Sequence, residues 1–263
     1  MLRDNVIKKN GYNTLAMSKK RRLKKIGFVG GISWTSTLDY YKYFNRGINE
    51  KLGGLNSADC IIYSLNFSDI QNKGWINSFD LILNALKNLV YSNVDAIVLC
   101  ANTAHLFADE IQSEIDIPII HIVEATAIKI KKEKLSKVGL LGTKFTMEMD
   151  FYRNKLKEYN IETIIPLEKK DIEEIQKIVK NELGKEFVSN ESKKKFIGYS
   201  NELIERGAEG IILGCTEIPM LIGKEDFKLP VFDTTKIHVE SIINFALDIE
   251  KPVANNGNRC KSP

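Results

Sequence analysis

The chain is 263 residues long, 43% hydrophobic and 27% charged, with a formal net charge of +4. That length suits one large domain or two small ones, and no apolar run reaches the roughly 18 to 20 residues of a membrane helix. Residues 1–25 hold nine Lys/Arg and one Asp, so the rest of the chain is near −4 and the basic balance is not a property of the fold.

The segment 1–24, with KKRRLKK at 19–25, reads as a basic, disordered extension rather than a nucleic-acid-binding patch. No apolar stretch follows its charges as a secretory signal would require, so a reduced, cytoplasmic compartment is expected. After it, short β-rich runs alternate with amphipathic stretches. The strand candidates are IGFVG (26–30), CIIYSL (60–65), AIVLC (96–100), PIIHI (118–122), KVGLLG (137–142), TIIP (163–166), GIILG (210–214) and LPVFD (229–233). STLDYYKYFNRGINEKL, SFDLILNALKNLV, MEMDFYRNKLKEY, DIEEIQKIVKNEL and KKKFIGYSNELIERG lie between them as helices. This alternation predicts an α/β fold with largely parallel sheets. The polar tail 251–263 reads as loose, which leaves Cys260 without a role.

The chain repeats itself. LKKIGFVGGISWTSTLDYYKY (23–43) resembles LSKVGLLGTKFTMEMDFYRNK (135–155), and VDAIVLCANTAH (94–105) resembles AEGIILGCTEIP (208–219). Ile26 precedes Ala96 by 70 residues, and Val138 precedes Gly210 by 72. Two motifs recurring at matching separation predict two pseudo-symmetric lobes with an active site in the cleft between them, outside the carboxyl ends of the strands. The order of the late elements predicts a first lobe of 25–122 plus 231–250 and a second lobe of 123–230.

Superposing the repeat sets Cys215 against Ala101, and Cys100 against Gly214. Cys215 follows a strand and precedes TEIPMLIG, read as a helix start whose N–H groups stabilise a thiolate. Thr216 supplies a hydroxyl there and Glu217 a carboxylate. Cys100, one residue before the symmetric position, points into the sheet–helix core if the strand is regular, or into the cleft if a bulge turns it. His105 either orients a cleft group or bonds to backbone, and His121 reads as a satisfied core residue. No zinc or other metal is expected, since the four cysteines have no CxxC and no ligand spacing with His105, His121 or His238. A dinucleotide fingerprint from Gly30 fails because Ile32 and Thr35 stand where it needs glycine.

GGISWTSTLDYY, CANTAH and GCTEIP resemble the cofactor-independent aspartate/glutamate racemase family over about residues 24–248. The resemblance implies two like lobes, a homodimer, no cofactor, and acid/base chemistry at the α-carbon of an amino acid. In the usual member one thiolate removes the α-proton while a second thiol protonates the opposite face. Carried over by position, the resemblance makes Cys215 the second-lobe acid/base. Asn102, Thr103 and Thr216 contact the α-carboxylate and amine, and Gly31, Ser33, Trp34 and Thr35 line the cleft. The usual first-lobe cysteine falls on Ala101, which can neither give nor take a proton. Three expectations follow. Cys100 substitutes through a local shift and preserves racemisation of aspartate or glutamate. Water or Thr103 serves as a slow first-lobe base. Or the chain performs one-thiol chemistry, such as decarboxylation of a small dicarboxylate, or only binds such a ligand. In every case the partner is a small molecule, with no nucleic acid and no membrane.

Overall fold

The computed structural model describes residues 22–249; the readings for residues 1–21 and 250–263, Cys260 included, lie outside them. In the first half β1 (Ile26–Gly30) leads into α1 (Trp34–Leu52), β2 (Cys60–Ser64), α2 (Phe67–Lys73), α3 (Phe79–Tyr91), β3 (Ala96–Leu99), α4 (Ala108–Glu114) and α5 (Ile122–Lys132). The second half runs through β4 (Lys137–Gly142), α6 (Lys144–Glu148), α7 (Asp150–Glu158), β5 (Glu162–Ile164), α8 (Lys169–Asn181), α9 (Asn190–Glu205), β6 (Ile211–Gly214), β7 (Val231–Asp233) and α10 (Thr234–Ala246).

Two parallel sheets result, in the orders β2-β1-β3 and β5-β4-β6-β7. The repeat spacing is their register: Ile26 pairs with Ala96 across β1 and β3, and Gly139 pairs with Ile211 across β4 and β6. A further repeat unit becomes visible here. A bridge from Ile97 to Ile119 mirrors the pairing of Ile211 with Val231, so PIIHI and PVFDT occupy equivalent places.

Two differences from the sequence reading follow. Val231–Asp233 pair with β6, which puts them in the second sheet, whereas the order of the late elements predicts the whole of 231–250 in the first lobe. PIIHI makes one bridge instead of a strand, because His121 caps α5 by accepting the Val123 N–H at 3.1 Å and the chain turns helical at Ile122.

The helices after these segments exchange lobes. Ile122, Val123, Ala127 and Ile130 of α5 are buried in the core with Val138, Leu140 and Ile212 of the second sheet. Val239, Ile242, Phe245 and Ala246 of α10 are buried with Ile26, Phe28 and Val98 of the first. Burying each helix on the far sheet ties the lobes together through apolar area, at about 25 cal/mol per Å² removed from water. It also brings the carboxyl ends of both sets of strands toward a common seam. Among the described residues no helix is long and apolar enough to cross a membrane.

Candidate active site

Three backbone turns meet at that seam. The first follows β1. Gly31 has φ +81°, and a Cβ there would strike the Leu65 backbone, so the turn requires glycine. Its N–H donates to Thr37 Oγ1 at 2.9 Å, and that hydroxyl donates to the Ser33 carbonyl at 2.9 Å. Ser33 caps α1, accepting the Ser36 N–H at 3.3 Å, and its hydroxyl meets Thr35 Oγ1 at 2.9 Å. Ser36 Oγ donates to the Cys100 carbonyl at 3.0 Å, which ties this turn to the end of β3. Trp34, expected in the cleft lining, is 65% exposed.

The second turn follows β3, and it decides the place of Cys100. That residue is 1% exposed and belongs to the first-lobe core with Phe28, Tyr40 and Phe44. Its N–H bonds the Val29 carbonyl at 2.9 Å, continuing the strand register without a bulge. Burial pushes its thiol well above the usual range. The expectation that Cys100 replaces Ala101 in the cleft is therefore corrected: strand alternation turns it into the sheet–helix core.

Asn102 and Thr103 instead reach across the seam. Asn102 Nδ2 donates to Thr234 Oγ1 at 3.0 Å, and Thr234 Oγ1 donates to the Leu213 carbonyl at 2.8 Å. Thr103 Oγ1 lies 3.0 Å from Thr143 Oγ1 and 3.3 Å from Thr146 Oγ1, and the last two are 2.9 Å apart. This ring of three hydroxyls joins the first lobe to the start of α6. Asn102 Oδ1 and Thr235 Oγ1 are buried without a hydrogen-bond partner among the described residues.

The third turn follows β6. Cys215 is 7% exposed, and its Sγ donates to Glu217 Oε2 at 2.9 Å. Thr216 Oγ1 donates to the same oxygen at 2.7 Å. Burial raises the thiol well above its ordinary value, and the Glu217 carboxylate adds to that rise. The N–H groups of Thr216 and Glu217 act in the opposite direction and are outweighed. The expected thiolate-stabilising helix is reduced to a short 3₁₀ turn, Ile218–Met220. Cys215 is thus a protonated thiol held by a carboxylate.

The three histidines of the chain cluster behind the Ala101 turn, His105 and His238 buried and His121 half-buried. The His105 ring lies 4.7 Å from that of His121 and 5.7 Å from that of His238. Ile122 N–H donates to His105 Nε2 at 3.2 Å, so Nδ1 carries the hydrogen and donates to the Ala101 carbonyl at 2.9 Å. His238 Nε2 donates to the Ile120 carbonyl at 2.7 Å, while its Nδ1 accepts from Tyr40 OH at 2.8 Å. Burial lowers His105 to about 4 and His238 to about 3, so both rings are neutral. His105 serves the backbone of the turn. Among the described residues no group of three His, Cys, Asp or Glu is arranged to hold a metal ion.

Sequence reasoning missed Thr143, Thr146 and Thr234. The first two were within reach, since in the repeat Thr143 and Thr146 stand against Gly31 and Trp34 of the turn already singled out. Thr234 carries no such signal, because PVFDT and PIIHI share little beyond their proline and their apolar pair.

Residues 29–242 match the family model described as Asp/Glu/Hydantoin racemase. Among solved structures, a putative Asp/Glu racemase from Yersinia pestis is 40% identical with a TM-score of 0.79, covering 85% of this chain and 99% of that one. An aspartate racemase homologue from Pyrococcus horikoshii OT3 is 37% identical with a TM-score of 0.75 and the same coverage of 85% and 99%. A glutamate racemase from Sulfurihydrogenibium sp. is 32% identical over 172 residues, 60% of this chain and 61% of that protein. The match therefore spans about three fifths of that curated relative's length. On its sequence and on its two parallel sheets alike, the chain belongs to the Asp/Glu/Hydantoin racemase family.

Proposed function

We propose that the protein is a cofactor-independent amino-acid racemase acting on aspartate or glutamate, with Cys215 as its principal acid/base. The observation that carries the reading is the buried Cys215–Glu217 pair at the seam between the lobes. A thiol becomes a base only by losing its proton, and Glu217 already accepts that hydrogen. Proton transfer to Glu217 frees the thiolate, which takes the α-proton; the electron pair left on carbon spreads into the α-carboxylate. Hydroxyls of the Thr103, Thr143 and Thr146 ring can turn to donate to that carboxylate, and such donors stabilise the charge as it develops. Cys215, Glu217, Asn102 and Thr103 are buried, which keeps the thiol–carboxylate pair away from bulk solvent and favours abstraction of a weakly acidic proton.

Inversion needs a donor on the opposite face. Ala101 offers none and Cys100 is committed to the core, so that proton comes from water or from Thr103. α-Proton exchange is then asymmetric, faster for the enantiomer whose α-hydrogen faces Cys215, while interconversion is slow in both directions with equal kcat/KM, because the two enantiomers have equal free energy. A second reading, decarboxylation of a small dicarboxylate, is favoured by the same Ala101: once carbon dioxide leaves, one protonated thiol suffices. We also read the protein as a cytoplasmic homodimer. Trp34, Leu38 and Tyr41 are exposed at one-turn and two-turn spacing along α1, and light scattering of Leu38→Glu against the native chain checks the dimer.

Proton NMR in deuterium oxide tests the main reading. Each enantiomer of aspartate and glutamate is incubated with the protein and followed for loss of the α-proton and, by chiral analysis, for inversion. Exchange abolished by Cys215→Ala is the expected result. No exchange, with carbon dioxide released from a dicarboxylate, would transfer the assignment to the second reading.

A further inference from the structure

The chain of hydrogen bonds from Asn102 to Leu213 determines which way the Asn102 amide faces. A threonine hydroxyl has one hydrogen and two lone pairs. Thr234 spends its hydrogen on the Leu213 carbonyl at 2.8 Å, so toward Asn102 it can only accept. The Asn102 atom 3.0 Å away must then be the NH₂ group, and Oδ1 must face the other way. Asn102 is 3% exposed, and Oδ1 is buried with no partner among the described residues. A buried acceptor left unmatched costs about 1–3 kcal/mol, so a ligand that donates to it is favoured.

The three residues belong to different elements. Asn102 follows β3, Thr234 opens α10, and Leu213 lies in β6 one residue before its last, Gly214, after which comes Cys215. Thr234 therefore links the acceptor to the root of the turn that carries the thiol.

We propose that Thr234 is a positioning residue that locks the Asn102 amide with its oxygen toward the substrate, so that the site selects a carbon bearing a free ammonium group over one bearing a keto oxygen. The inference rests on the cleft being an amino-acid site but not on turnover. An ammonium group donates to Oδ1 with the help of its charge. A keto oxygen in the same place sets two acceptors against each other. Thr234→Val keeps the volume, removes the hydroxyl and releases the amide to rotate, after which its NH₂ group greets a keto oxygen.

The test is calorimetric binding of glutamate against 2-oxoglutarate, and of aspartate against oxaloacetate, to the native chain, Thr234→Val and Thr234→Ser. Thr234→Ala serves as a second hydroxyl-free variant if valine prevents folding. The native chain is expected to prefer each amino acid by at least about tenfold. Thr234→Val or Thr234→Ala should shrink the glutamate preference by about tenfold, and Thr234→Ser should restore it. A residue that served only stability would weaken every ligand equally and leave the ratio unchanged, which would overturn the proposal. Equal binding of glutamate and 2-oxoglutarate by the native chain, or no binding of either amino acid, would also overturn it. An intact preference without α-proton exchange supports this inference while removing the racemase reading, so the two fail separately.

Discussion

Cys215 and Glu217, separated by one residue, share a hydrogen 2.9 Å from donor to acceptor, and both are buried. The carboxylate plays two opposed parts. Its charge holds the thiol protonated, and it is also the nearest place for the proton to go. Glu217→Gln separates them. The amide removes the charge, so the Cys215 pKa falls toward its ordinary value and alkylation by iodoacetamide at pH 8 speeds up several-fold, with Cys215→Ala as the background. The same change removes the proton acceptor, so kcat for α-proton exchange drops by about 10²–10⁴ with KM less affected. Slower alkylation in Glu217→Gln would show that the carboxylate is not what holds the proton.

Cys100 gives the complementary prediction. It packs in the first-lobe core, so Cys100→Ala leaves α-proton exchange within about twofold while lowering stability by about 1–2 kcal/mol through the cavity it opens. Cys100→Ser lowers stability further, because it buries a hydroxyl among apolar side chains. Urea unfolding read beside the exchange assay checks both. Loss of exchange with unchanged stability would return Cys100 to the cleft.

These two cysteines also mark what the sequence made legible. The 70- and 72-residue spacings carried the strand register, since each lobe pairs its first strand with its third and the repeat preserves the pairing. Alternation along β3 carried the inward direction of Cys100, and the repeat carried the match of Cys215 to Ala101. Which residues α5 and α10 cover on those sheets was not legible, because an apolar helix face states that it is buried but not against which side chains. Thr143 and Thr234 act through partners 40 and 132 residues away, and local patterns do not encode such pairings. The direction of the Cys215 shift was misread for a related reason. TEIPMLIG reads as a helix start, but it forms only a 3₁₀ turn, and burial with Glu217 then dominates.

Ala101 is the symmetric counterpart of Cys215, which makes Ala101→Cys a gain-of-function test. It supplies a thiol on the face that lacks one, on a turn whose carbonyl is held by His105. Interconversion of the two enantiomers should accelerate by at least about tenfold, while exchange on the Cys215 side changes little. Chiral chromatography after timed incubation reads the first quantity and deuterium uptake the second. Equal acceleration of both would mean that the thiol acts elsewhere than on the second face.

The histidine cluster sets how the fold responds to acid. His105 and His238 are neutral in the folded chain, with pKa values lowered by burial from 6.5 to about 4 and about 3. His121 is lowered as well, by burial and by the charges that His105, Lys155 and His238 would present. Tyr40 faces the cluster from α1 with its own pKa raised, so it stays neutral throughout this range. Unfolded histidines protonate near 6.5, so the unfolded state takes up protons first as pH falls. The stabilisation is therefore complete above about 6.5 and is lost progressively as pH drops toward 4 and then 3. His105 alone accounts for a loss on the order of 3 kcal/mol across that range. Denaturant unfolding at pH 7.5, 6, 5 and 4 should trace this decline. His105→Gln should start less stable, because Ala101 and Ile122 lose their shared partner, but its stability should fall less steeply with acid. A parallel decline in the two proteins would mean that His105 does not titrate differently between the folded and unfolded states.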